Sequence, residues 1–261
     1  MKQKVNLISI GIASYNFKEH VSSDILTEGY YIPAENLRTQ QYLDKIFEWT
    51  EANQMILNNK KSKIMIFNFT RDFPVSARAA LENEILEIIH ETKLLGVLLD
   101  DELSWDRNTM SLVRRANSRM RLLHKLVEFD VPIPDLIQIY TLFIRSIVEQ
   151  SCVVWHSSLT VENSQDLERI QKNALKIILK DQYTSYSDAL KHVGLDMLSE
   201  RREKLCLTFA RNCVKNESTK DMFPLNENFT NMSTRNPELF QVQSCRTERL
   251  KNLLFLTCNI C

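Results

Sequence analysis

The chain has 261 residues, 44% hydrophobic and 25% charged, and its 33 Lys+Arg balance its 33 Asp+Glu to a formal net charge of +0. That length and apolar content suit one or two domains with a sizeable core, and a neutral whole leaves partners to be sought region by region. Gly11, Gly29, Gly96 and Gly194 are its 4 glycines and stand far apart, so no phosphate-cradling loop or dinucleotide fingerprint can be assembled, which excludes P-loop NTPases and Rossmann dehydrogenases.

In chain order, Asn6–Phe17 reads as a short helix or a strand, and His20–Asn36 as a loop turning at Gly29 and Pro33. The apolar patch Val5–Ala13 is short and broken by Asn6 and Ser9, so it makes a poor leader. No run approaches the roughly 20 apolar residues of a spanning helix. The expectation is an intracellular protein, nuclear or cytoplasmic, with no membrane partner. Asn68-Phe-Thr70 and Asn228-Phe-Thr230 are then chance sequons.

Leu43, Ile46, Phe47 and Thr50 recur at helical spacing and predict a helix over 37–52. A Lys-rich turn, Asn58–Lys63, follows, and then a strand over Lys63–Asn68. Val75–Leu81 and Ile85–Ile89 around Glu82-Asn83-Glu84 suggest a hairpin, though the turn lacks glycine. Glu91–Asp100 reads as one largely apolar strand buried on both faces.

From Trp105 the period becomes helical. Over Arg107–Val127, Val113, Ala116, Met120, Leu123 and Val127 line one face. Arg107, Arg114, Arg121 and Lys125 fall opposite, with Arg115 and Arg119 on the flank and no acidic residue between them. Past Pro132 and Pro134, Asp135–Gln150 predicts a helix apolar almost all round, suited to the centre of a bundle. Glu162–Lys180 buries Leu167, Ile170, Ala174, Ile177 and Ile178 and shows Arg169, Lys172, Lys176 and Lys180 elsewhere. Ser187–Val193 stops at Gly194, a left-handed C-terminal cap by residue type, and a last helix spans Leu198–Lys215. Beyond Asn216 the chain is polar and Asn-rich, which predicts an irregular tail.

Three features bear on chemistry. Asp100-Asp101 has the look of a metal-binding carboxylate pair, but two metals need a further carboxylate, and a polar strand end is the better reading. Lys60, Lys61 and Lys63 would neutralise phosphates or form a solvated turn. The basic face of the Arg107–Val127 helix is a nucleic-acid contact or a solvated face. The 6 cysteines form no framework: Cys206 and Cys213, seven apart on one helical face, fit a core, and Cys258-Asn-Ile-Cys261 is half a zinc pattern without a second pair.

Nine stretches taken together resemble the C-terminal part of reverse transcriptases from jockey-like non-LTR (LINE-type) retrotransposons. They are LNNKKSKIMIFNF, ETKLLGVLLDDELSWDRNT, RRANSRMRLLHKL, RSIVEQSCVVWHSSLT, LERIQKNALKIILK, YSDALKHVGL, ERREKLCLTFARNCVKN, MFPLN and FQVQSCRTERL, in the family's order from about residue 4 to residue 250. The resemblance implies an α+β, mainly α fold: a small antiparallel palm-remnant sheet (1–104), a thumb-like helical bundle (105–215) and an irregular tail (216–261). It likens Lys61 or Lys63 to the lysine of the family's fourth palm motif, which assists proton transfer to pyrophosphate. It likens Leu95 and Gly96 to the primer grip, and sets Arg114, Arg115, Arg119 and Arg121 toward a template–primer of RNA and DNA.

These residues hold no aromatic-x-Asp-Asp box, which the family carries just before the stretch matched by Lys4–Tyr15. The implied magnesium of the full-length enzyme therefore has no catalytic ligands here, no cofactor is expected in this chain, and no polymerase activity is expected from it alone. Asn252–Cys261 departs from the family as well. The reading is a reverse-transcriptase fragment; its alternatives are a helical nucleic-acid-binding or interaction module, or a non-functional transposon remnant.

Overall fold

The structure is a computed structural model and describes residues 3–5, 8–13, 34–58, 60, 62–68, 80–81 and 84–216. The chain divides into two compact units, 1–103 and 104–261. The irregular tail expected beyond Asn216, the loop residues up to Pro33, and both terminal cysteines lie outside the described residues.

The first unit is small and mixed. Strands β1 (Gln3–Val5) and β2 (Ile8–Ala13) precede helix α1 (Ala34–Ala52), which starts three residues earlier than the apolar spacing alone indicates. Asn53 ends α1 by donating its backbone N–H and its Nδ2 to the Trp49 carbonyl, at 3.1 and 2.8 Å. Strand β3 (Met55–Leu57) then pairs in parallel with β1, and β4 (Lys63–Asn68) in parallel with β2 across Ile8↔Lys63 to Ala13↔Asn68. The Asn58–Lys63 turn closes as Ser62 donates to the Asn58 carbonyl through both N–H and Oγ. Leu43, Leu57, Ile64, Leu81 and Leu86 form the core, with Ile46 and Phe47 packed on it. Gln40 fixes the next strand to α1: its side chain donates to the Ala80 carbonyl and accepts the Ala80 N–H, both at 3.0 Å.

Strands β5 (Ala80–Leu81) and β6 (Glu84–Ile85) pair antiparallel, which is the expected hairpin in short form; its residues 75–79 lie outside the described residues. Strand β7 (Glu87–Ile88) then joins the far side of β4, again in parallel, so the order is β2-β4-β7. Among the described residues, antiparallel pairing is confined to the hairpins. A strand pairs in parallel only after a long connection returns the chain, a property that its own residues do not display.

Glu91–Asp100 is not one strand buried on both faces. It is a tight hairpin, β8 (Glu91–Leu94) against β9 (Val97–Asp100), with Leu94 opposite Val97. The two turn residues, Leu95 (φ 48) and Gly96 (φ 90), both have positive φ. That matches the twist of the flanking strands and is the conformation such loops favour. Gly96 adopts it without a Cβ penalty, whereas Leu95 does so at the tip with 92% of its surface in solvent.

The second unit is a helical bundle. Helix α2 (Asp106–Glu128) packs on α6 (Val161–Leu179), its Leu112, Ala116, Met120 and Leu123 buried; Leu112 takes the central place that periodicity assigns to Val113, which is half-buried. Helix α3 (Ile133–Ile139) runs through a π-helical segment, Tyr140–Arg145, into α4 (Ser146–Val148). Leu136, Tyr140, Ile144 and Ile147 face the core, but Leu142 and Phe143 are exposed, so this helix lies on one side of the bundle and not at its centre. A single turn, α5 (Cys152–Trp155), leads to α6, which Thr160 caps by accepting the Asn163 N–H. Ser185 caps α7 (Tyr186–Val193) in the same way. Gly194, at φ +68, ends it, and α8 (Leu198–Lys215) closes the bundle. The whole is α+β and mainly helical. Among the described residues no helix is long and apolar enough to cross a membrane.

Candidate nucleic-acid interface

Helix α2 presents the basic face. Asp106 in its first turn and Lys125 in its last suit the helix dipole. Its ends, Asp106 and Glu128, add two acidic residues that the span Arg107–Val127 leaves out, and Asp106 is engaged by Asn163 Nδ2 at 2.6 Å. With one side buried against α6, residues spaced seven and four apart must share the opposite side. Arg107, Arg114, Arg121 and Lys125 do so, and all four are exposed. Arg114 to Lys125 covers about 16 Å of helix axis.

The six cations of α2 differ in how they are held. Arg115 donates to Gln150 Oε1 at 3.0 Å and Arg119 to the Phe143 carbonyl at 2.9 Å, which ties that flank to the π-helical segment. The side chains of Arg114, Arg121 and Lys125 have no ion pair or hydrogen bond among the described residues. The second basic stripe, on α6, is used internally. Arg169 pairs with Asp166 at 2.8 Å, Lys172 and Lys176 lie over the Tyr186 and Tyr183 rings, and Lys180 Nζ donates to the Val127 carbonyl at 3.3 Å. Free cationic side chains on a rigid helix are what a phosphate backbone can engage without breaking an existing contact.

The other sequence candidates belong to the first unit. Lys63 opens β4 and forms an ion pair with Glu87 of β7, so its charge is already matched. Lys60 is exposed in the turn, and Lys61 lies outside the described residues. Leu95 and Gly96 form the tip of the β8–β9 hairpin, Leu95 exposed and Gly96 half-buried. Asp100 ends β9, and Asp101 accepts a 2.6 Å hydrogen bond from the His90 ring. Among the described residues no three His, Cys, Asp or Glu side chains come together. Two adjacent carboxylates, one of them engaged by a histidine, do not match the donor set of a two-metal centre.

A buried polar chain holds the bundle behind this surface. Tyr140 donates to Gln171 Oε1 at 2.8 Å; Gln171 Nε2 donates to the Tyr186 hydroxyl at 3.0 Å and to the Asp196 carbonyl at 2.9 Å; Tyr186 donates to Glu168 Oε1. The Glu168 carboxylate then accepts the Leu198 and Ser199 N–H groups at 3.0 and 3.2 Å, so α6 caps the start of α8. Burial pushes the Tyr140 phenol well above its ordinary range, and burial with the Glu168 contact does the same to Tyr186. Both remain neutral donors. Periodicity did carry a signal for Gln171, which stands four after Leu167 and three before Ala174 on the apolar face. Comparison with protein-family models, curated proteins and solved structures finds no match.

Proposed function

We propose that this chain is the palm end and thumb of a reverse transcriptase of the jockey-like non-LTR type, with the helical unit gripping an RNA–DNA duplex through its phosphates. The observation that carries the reading is the stripe Arg114–Arg121–Lys125, exposed and unpaired on one side of α2 while the cations of α6 are engaged within the fold. Contacts of that kind position a duplex without reading its sequence. The order of the nine family-like stretches supports the same reading. On it, the Leu95–Gly96 turn offers backbone groups to a primer end. The residues present do not fit the magnesium pair of such enzymes, so no step of polymerisation is assigned to them.

The test is titration of a labelled RNA–DNA duplex at several salt concentrations. Three phosphate contacts predict a slope of log K against log salt of about −3. Reversal of Arg114, Arg121 and Lys125 to Glu should remove most of that slope and weaken all sequences alike. A folded triple variant that binds with the wild-type slope would overturn the assignment.

A further inference from the structure

The helical unit contains a second centre that nucleic-acid binding does not use. Cys152 opens α5 directly after Ser151, whose φ of 52 turns the chain, and Cys206 lies on α8. Both are free and buried, and the Cys206 Sγ is 3.9 Å from the Cys152 carbonyl oxygen. Four residues before Cys206, and so on the same side of α8, Arg202 is 0% exposed.

Arg202 is held by neutral groups. Its guanidinium lies 5.9 Å from the Trp155 ring; its Nε donates to His156 Nδ1 and its Nη2 to Ser164 Oγ, both at a long 3.4 Å. Its Nη1 has no partner, and no carboxylate forms an ion pair with it among the described residues. The Glu168 carboxylate is a favourable charge nearby but forms no ion pair with it, and a buried cation so loosely matched is costly. A thiolate beside it reduces that cost, and such an environment makes a cysteine reactive.

We propose that Cys152 and Cys206 are a peroxide-responsive dithiol that closes to a disulfide, with Arg202 stabilising the Cys152 thiolate. The neighbouring Cys206 holds the Cys152 thiol below its usual range, while Cys152 and burial push Cys206 up. Cys152 is therefore the attacking group. Its thiolate attacks one oxygen of hydrogen peroxide, the O–O bond breaks, and hydroxide leaves with the electron pair and takes up the proton that Cys152 gave up. The Cys206 thiol then attacks the Cys152 sulfenic acid; the S–O bond breaks, the S–S bond forms, and the Cys206 proton leaves with the oxygen as water. Two thiols and one peroxide give one disulfide and two waters.

The bond would join α5 to α8 across 54 residues of chain. Closing a loop of that size predicts a reversible rise in Tm of roughly 10 °C. The experiment is peroxide treatment of the full-length wild-type protein, followed by non-reducing peptide mapping and thermal melts with and without dithiothreitol. The expected result is a Cys152–Cys206 linked peptide, formed before Cys213, Cys245, Cys258 or Cys261 is modified, with a Tm rise that the reductant reverses. Arg202→Met, checked by circular dichroism for fold, should slow linkage by about tenfold. Recovery of Cys152 and Cys206 as free thiols from folded, peroxide-treated protein, or of Cys152 only as sulfinic acid, would overturn the proposal. A folded Arg202→Met protein that links at the wild-type rate would remove the guanidinium from it.

Discussion

Replacing Glu168 with alanine isolates the contact on which the closing helix depends. The carboxylate is 6% exposed and accepts three hydrogen bonds, from the Tyr186 hydroxyl and from the Leu198 and Ser199 N–H groups. Truncation leaves one buried and one part-buried backbone N–H at the start of α8 without acceptors, and a part-buried Tyr186 hydroxyl with nothing to donate to. Each unsatisfied donor costs about 1–3 kcal/mol, partly recovered by relaxation and water entry. Arg202 also loses a favourable nearby negative charge. The sum predicts a loss of about 3–5 kcal/mol, a large part of the 5–15 kcal/mol typical of a folded domain. Glu168→Gln keeps one acceptor and sets an NH₂ group against backbone donors, so about half that loss is expected. Urea unfolding followed by circular dichroism reads both values from the midpoint at constant slope. If Glu168→Ala stays within 1 kcal/mol of wild type, α8 is held by its apolar face alone and the capping argument fails.

His156 gives the fold a pH dependence. Burial, with the adjacent Arg202 charge, lowers its pKa from 6.5 to about 4, so between those values the unfolded chain binds more protons than the folded one. Stability therefore falls on acidification through that window, by about 2–3 kcal/mol from pH 7 to pH 4; thermal melts at several pH values should show the decline, and His156→Gln should flatten it. Gly194→Ala meets nothing within 4 Å of its new Cβ, so only the left-handed φ of +68 opposes it, and a loss of about 1 kcal/mol in urea unfolding is expected. A loss above 3 kcal/mol would show that space, and not dihedral strain, limits this position. Supplied with magnesium, nucleotides and a primed RNA template, the purified chain should give no primer extension on a sequencing gel; extended product would refute the assignment of Asp100 and Asp101 as structural residues.

How much was legible depended on whether the information is local. The extents of α6 and α8, the stop of α7 at Gly194 and the solvent face of α2 follow from apolar period and cap chemistry, which are written within one turn of each residue. Glu91–Asp100 was misread because an apolar run has no period to reveal a reversal, and only the backbone at Leu95 and Gly96 shows the turn. The parallel register of β2, β4 and β7 was invisible because it depends on where a long connection returns the chain. Charge was legible, but its availability was not: Lys63 and Arg114 look alike as sequence, yet one meets Glu87 and the other meets solvent. The sequence by itself determined where the long helices of the second unit lie, most of the apolar face of α6 and where the cations of α2 and α6 stand. Only the tertiary structure decided which charges are matched and which polar groups are buried, Glu168 and Arg202 above all. Partners separated by tens of residues in the chain become neighbours only once the apolar faces have packed.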